Sequence, residues 1–325
     1  MLMKMFAFEW RYFTKQPSFY VTSLIFFLLT FLATVSDNVQ IGGGGNVLYN
    51  GPFSIARTLL TMGLFAMFLV VNFVASTATR NDSSKMSELL YSKPINPISY
   101  QLGRFLGSFA IVATVFAFVP LGIFIGSLLG GLVGWIDPER LGVTNLSHYF
   151  AAYFYLSLPS LFVLSCFFYS VAIKFRSMMA VYLSAVGLFI LYTISGQLLN
   201  EPEYRTLAAL LDPFALNTFG EVTRYWTMFD KNNSPIELSG ILLENRLLWL
   251  GASVAIMAFF GGFRAKVRLS QMKVKKQSKK ALKKAEAQLA LQTEKIPTLL
   301  NNDITTKSTG VQTAAHLRMR IIFEI

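Results

Sequence analysis

The chain alternates long apolar runs with shorter polar stretches, and the runs have the length of membrane crossings. Six of them, at about residues 19–35, 58–77, 105–135, 149–173, 178–199 and 247–263, are nearly free of Asp, Glu, Lys and Arg. A helix needs about 20 mostly apolar residues to cross a hydrocarbon core of about 30 Å, so each run predicts one span. Pro120 interrupts the third and Pro159 falls within the fourth. Ahead of the first run, Met3, Phe6, Trp10 and Phe13 recur at three- and four-residue steps, with Lys4, Arg11 and Lys15 on the other side. That spacing predicts an amphipathic helix lying in the interface plane. The apolar run that follows is longer than the roughly 7 to 15 residues of a signal-peptide core, so it reads as a span. The expected fold is all-α and polytopic. It has an interfacial helix over 1–17, a six-span domain over 18–263 and a basic tail and linker over 264–325.

Composition sharpens this picture. Of 325 residues, 54% are hydrophobic and only 14% charged, against about 25% charged in ordinary soluble domains. A soluble enzyme, a secreted disulfide scaffold and a disordered chain are all poor fits. The net charge of +12 gains meaning from its placement. Of the 29 basic residues, 23 fall in the N-terminal helix, the 80–104 stretch, Lys174, Arg176 and the tail, and 6 in the alternate connections. Basic residues stay on the cytoplasmic side, so both termini are expected there, as an even number of spans requires. The lysines from Lys273 to Lys284 directly follow the last run. Such a cluster attracts anionic lipid at about 1 kcal/mol per basic residue. No aromatic residue interleaves it to stack on bases, so nucleic acid is not an expected partner.

Motifs for chemistry are missing. Cys166 is the single cysteine, and the two histidines, His148 and His316, are far apart in the sequence, so no metal site is expected. The run Gly42–Gly45 has no following Lys and reads as a flexible turn rather than a phosphate cradle; HExxH and GxSxG are likewise absent. The carboxylate pairs Glu201 and Glu203, and Glu286 and Glu294, lie in polar segments where solvation is the simplest reading. No expected span carries a charge near its middle, which argues against a proton-coupled carrier. The expectation is therefore no catalytic residue, no metal and no cofactor, with any driving energy supplied by a partner. Candidates for lining a pathway are polar residues of the second span (Asn72 and Ser76) and of the fifth (Ser184, Thr193, Ser195 and Gln197). Polar groups in lipid gather at protein interfaces, so an interhelical hydrogen bond unrelated to substrate is the simpler role for each one taken singly.

The 80–104 stretch stands apart. Ser83 or Ser84 can cap a short helix with Met86, Leu89 and Leu90 on one side and Glu88 beside them, and Pro94 ends it. An element of this kind fits a groove on a partner, and an ordinary interfacial loop remains the other reading. The run Glu88-Leu-Leu-(x)2-Lys-Pro-Ile with Tyr100-(x)2-Gly-Arg-Phe resembles the first cytoplasmic loop of type-2 ATP-binding-cassette exporter permeases. The six-span plan with an amphipathic first helix is similar too. The resemblance implies a coupling helix docked on a separate ATPase subunit, with Glu88, Leu89, Leu90 and Pro94 at the contact. It also implies a second permease half or a homodimer, and residence in a bacterial inner membrane. ATP and Mg would be bound by the partner. A narrower likeness lies in Asp212-Pro-Phe214, Tyr225-Trp-Thr227 and Asn245-Arg-Leu-Leu-Trp249. These are similar to the permease half of bacterial permease/zinc-aminopeptidase fusion proteins, whose peptidase domain and second span set this sequence does not carry. The final Arg318-Met-Arg-Ile-Ile-Phe-Glu-Ile325 echoes Lys4-Met-Phe-Ala-Phe-Glu-Trp-Arg11, as in a chain that ends where a second half begins. The expected function is the permease subunit of an ATP-driven exporter. The alternative is a non-transporting membrane anchor or scaffold for a peptidase or assembly partner, working through the 200–246 segment and the tail.

Overall fold

The computed structural model describes residues 1–36, 41–83 and 96–260, together with positions 278, 281, 282, 285 and 286. The chain divides into two units, Met1–Arg268 and Leu269–Ile325; in the second, the few described positions are helical. No strand occurs among the described residues. Six helices are long and apolar enough to cross a membrane: Pro17–Val35, Pro52–Arg80, Ile98–Val133, Leu146–Phe175, Met178–Leu198 and Gly240–Phe260. The protein is thus all-α, with the expected number of spans. A separate helix, Leu2–Thr14, precedes them.

Several boundaries differ from the sequence expectation. The second span starts at Pro52 rather than Thr58, the third at Ile98 rather than Phe105, and the sixth at Gly240 rather than Leu247. In each case an arginine a few residues into the helix, Arg57, Arg104 or Arg246, cuts short the uncharged run. Arg104 and Arg246 therefore lie inside spans, although neither sits at a span's middle. The helix that closes the second span runs on through Ser83, and the short helix expected after it lies outside the described residues. In the third span the helix is interrupted at Ala117, one turn ahead of Pro120, because proline lacks the N–H that would bond the preceding turn. In the fourth, a π-helical turn at Ala152–Ser157 precedes Pro159; a second π turn at Val71–Ala75 interrupts the second span. Gly42, expected in a flexible turn, is buried against Ser54 and Thr58.

Two close helix approaches organise the bundle, both on the third span. A Cβ at Gly103 would meet the Leu2 carbonyl at 2.6 Å, and one at Gly107 the Glu9 Cβ at 2.8 Å. This half of the span holds the N-terminal helix. A Cβ at Gly122 would strike Thr30 and the Phe27 carbonyl, and one at Gly126 would come within 3.0 Å of Thr34 Cβ. That half holds the first span. Small residues four apart let helix backbones approach in lipid, where the hydrophobic effect offers helices no drive to associate.

Contacts place alternate connections at opposite ends. At one end Arg80 and Arg104 meet Glu9 of the N-terminal helix, Tyr169 donates to the Gln101 carbonyl, and Lys174 sits 4.6 Å from the Phe260 ring. At the other, Tyr49 N–H donates to the Arg140 carbonyl, Asn50 bonds Gly142 and Thr144, and Leu48 N–H donates to Asn232. Six crossings with alternating ends follow from these pairings.

The 199–239 segment is more than a polar connection. It folds into three short helices, Arg205–Leu211, Leu216–Val222 and Met228–Asn233, and the first two sink into the bundle. Phe214 is buried against Tyr192 of the fifth span. Its carbonyl accepts from Ser160, halfway along the fourth. This cap closes that end of the structure.

Candidate functional site

The N-terminal helix docks through Leu2, Met5, Phe6, Glu9 and Phe13, and of the Met3-to-Phe13 stripe Met3 alone is exposed. Met3 is 71% exposed, whereas Glu9 is fully buried. Glu9 Oε1 accepts from Arg80 Nη2 at 2.5 Å and from Arg104 Nε at 2.9 Å. Arg104 also donates to the Thr77 carbonyl and to the Tyr100 hydroxyl, and Arg80 lies 4.2 Å from the Tyr12 ring. One carboxylate thus ties the N-terminal helix to the end of the second span and the start of the third. Sequence reasoning missed this clamp because a lone Glu among apolar residues carries no periodic signal. Gly103 and Gly107, spaced for close packing, were the available hint. Glu88, Leu89, Leu90 and Pro94, assigned to ATPase contact, lie outside the described residues.

At the cap end a second cluster forms around the break between the first two cap helices. Asp212 Oδ1 accepts from Phe214 N–H at 2.9 Å, and Oδ2 from Asn217 N–H at 2.6 Å and Thr218 N–H at 3.3 Å. Asn245 Nδ2 donates to the carbonyls of Ala209, Leu210 and Asp212. Asp212 therefore satisfies the amides that open one helix, and Asn245 the carbonyls that close the other. Irregular backbone at membrane depth requires such partners. Arg246 reaches Ser160 Oγ at 2.6 Å and Asn245 Oδ1 at 3.0 Å; Trp249 Nε1 donates to the Leu210 carbonyl. Burial pushes the Asp212 carboxyl up from the ordinary carboxylate range, while the three amides and Arg246 pull it back. The runs Asp212-Pro-Phe and Asn245-Arg-Leu-Leu-Trp249, far apart in sequence, are one structural unit.

The pathway candidates divide among these surroundings. Ser195 is fully buried, donates to the Ala208 carbonyl at 2.7 Å and accepts from Asn217, so it belongs to the cap. Ser184 and Thr193 bond carbonyls of their own helix, those of Val181 and Phe189; Thr193 and Gln197 are exposed. Asn72 Nδ2 donates to Ser18 Oγ of the first span at 2.9 Å, and Ser76 bonds the Asn72 carbonyl.

A pattern emerges on the second span that the list of candidates only touched. Over its most apolar stretch the span is 72% buried, as is the fourth, far more than the 28%, 17% and 22% of the first, fifth and sixth. Its accessible positions form one stripe, Arg57, Thr61, the adjacent Leu64 and Phe65, Phe68, Asn72, Ser76 and Arg80, recurring every three or four residues. Polar groups stand at both ends, and Phe65 and Phe68, 50% and 73% exposed, lie between. Ser18 of the first span, bonded to Asn72, and Tyr192 of the fifth, near Arg57, flank the stripe. A mixed stripe on a membrane-height helix is poorly matched to lipid tails. Sequence reasoning counted Arg57 as a loop residue because the span was begun too late.

Two apolar clefts of about 440 and 490 Å³ open on the bundle's flanks, and neither is lined by a charged side chain. Among the described residues no group of three His, Cys, Asp or Glu is placed to hold a metal ion. Cys166 is buried and unbridged, and Glu201, Glu203 and Glu286 are exposed. No protein-family model and no curated protein matches the chain.

Proposed function

We propose that this chain is the transmembrane permease subunit of an ATP-driven exporter in a bacterial cytoplasmic membrane, with the N-terminal-helix end in the cytosol. The observation that carries the reading is the polar-aromatic stripe of the second span, the one accessible line on an otherwise buried helix. Facing a second permease half or a second copy, that stripe and the exposed side of the fifth span would enclose a path. The clamp supports the same reading. Arg80 and Arg104 bracket the segment whose sequence resembles a coupling helix, and both are held by Glu9. A push on that segment by an ATPase subunit therefore bears on the second and third spans together, as a rigid-body or hinge transition needs. Phosphate chemistry belongs to the partner, which holds ATP and Mg.

The deciding experiment is co-purification of the chain with its ATPase subunit and measurement of ATP turnover. Replacing Glu88 and Leu89 by alanine is expected to abolish association and stimulated turnover. Unchanged association and turnover would remove the coupling assignment. The anchor reading draws on the cap, whose Tyr225 and Phe229 are 79% and 73% exposed. Capture of a peptidase through the cap, without any ATPase, would favour it.

A further inference from the structure

Arg57 and Lys231 share one aromatic ring. The Arg57 guanidinium carbon lies 5.8 Å and Lys231 Nζ 5.2 Å from the centroid of Phe53. Phe53 is itself buried and stacked on Phe219 of the cap. Among the described residues neither cation is in an ion pair. Asp230, next to Lys231 in sequence, is already engaged: its Oδ2 accepts from the Thr227 N–H at 2.9 Å and hydroxyl at 2.7 Å. The two ring-flanked cations therefore stand without an ion-pair partner among the described residues.

Depth sharpens the chemistry. The second span has 29 residues, about 43 Å of helix at about 1.5 Å per residue, and it overhangs a core of about 30 Å. Arg57, five residues past the start of the helix at Pro52, falls at the border of headgroup and hydrocarbon. From there the stripe descends through Thr61 to Phe65 and Phe68. A cationic head site above an aromatic-lined track is complementary to one class of molecule.

We infer that the Arg57–Lys231 site and the stripe below it bind an anionic amphiphile, with a phosphate or carboxylate head at the two cations and an apolar body along Phe65 and Phe68, as the exporter's cargo. The cargo role rests on the permease reading; the binding itself does not. Charge complementarity selects the head, and the stripe's position on a helix otherwise packed in the bundle selects the body.

The test is equilibrium binding of dodecyl phosphate to the full chain in phosphatidylcholine nanodiscs, with no ATPase present. Dodecyl phosphate is expected to bind more tightly than dodecyl phosphocholine. Arg57→Gln and Lys231→Gln are each expected to weaken it about fivefold, the worth of about 1 kcal/mol per interfacial cation. Arg57→Lys should retain most of the affinity and so show that the site is folded, and Lys15→Gln at the opposite end should change nothing. Equal binding by Arg57→Gln, or equal affinity for the phosphocholine, overturns the head assignment. Inorganic phosphate binding as tightly as dodecyl phosphate overturns the track. Abolition of binding by phosphatidylglycerol at ordinary bilayer content would make the occupant a resident lipid and overturn the cargo role. Failure here leaves ATPase coupling standing, and failure of coupling leaves this binding intact, so the two readings separate.

Discussion

At one end of the bundle the Glu9 carboxylate is held by side chains; at the other, Asp212 is held mainly by backbone. Glu9 draws Arg80 and Arg104 from two spans onto a separate helix. Asp212 accepts from three amides within six residues of itself. The first arrangement joins elements that are distant in sequence and can be prised apart. The second stabilises a local turn and cannot be undone without unwinding it. The difference means that the N-terminal-helix end is joined by contacts between separate elements, whereas the cap end is joined within one turn.

The comparison is most sharply broken at Glu9. Replacing it by alanine leaves Arg80 and Arg104 without their shared anion, and removing one partner of a buried ion cluster costs about 3–5 kcal/mol. Glu9→Ala is expected to lower the melting temperature in detergent and to free residues 2–14 for rapid hydrogen exchange, while the cap keeps its protection. Equal loss of protection at both ends would mean that the clamp is part of one global core.

Asp212→Asn probes the other end with a smaller effect. Asparagine keeps one acceptor oxygen and turns an NH2 toward the amides of Asn217 and Thr218. A buried donor left without an acceptor costs about 1–3 kcal/mol. Increased exchange at 212–222 with residues 2–14 unchanged is the expected signature.

Much of the fold was legible from hydropathy alone, because a crossing must be a helix of about 20 apolar residues. Span number, the separate first helix and the break near Pro120 follow from that. The clamp and the cap were not legible, for opposite reasons. Glu9 sits in an apolar context that gives a single acid no pattern, and its partners are 71 and 95 residues away. The cap looks polar because Asp212 and Asn217, with Asn245 from the sixth span, spend their polarity inward on backbone, and Arg246 spends its own on Ser160 and Asn245. The stripe lay between these cases. Its spacing is visible once the second span begins at Pro52, but a search for uncharged runs starts after Arg57 and so hides the residue that gives the stripe its charge.

The two glycine pairs of the third span allow a finer comparison. Gly107→Ala places a methyl against Glu9 Cβ, and Gly122→Ala places one against Thr30. Overpacking of this kind costs about 1–3 kcal/mol. Gly107→Ala is expected to loosen the N-terminal helix and mimic Glu9→Ala in part. Gly122→Ala should disturb the first span and leave residues 2–14 protected. Site-resolved exchange distinguishes them.

The smallest expected effect sharpens the cap end and concerns acid. Thr227 and Asp230 form a reciprocal cap on Met228–Asn233, the helix that carries Lys231 and Asn232. The hydroxyl and N–H of Thr227 hold the Asp230 carboxyl below its usual range. A carboxyl depressed in the folded state adds stability above its unfolded value, near 3.9, and that stability is lost as pH falls through the folded value. Protection of the Asp230 amide, which donates to Thr227 Oγ1 at 3.2 Å, should therefore hold at pH 5 and decline below about pH 4. Asp230→Asn should remove that decline. Asp212 cannot produce the same profile: its carboxyl is shifted up by burial, not down, and its titration acts with the opposite sign. A loss of protection that persists in Asp230→Asn would assign the acid response to another group and leave the Lys231 helix uncoupled from its cap.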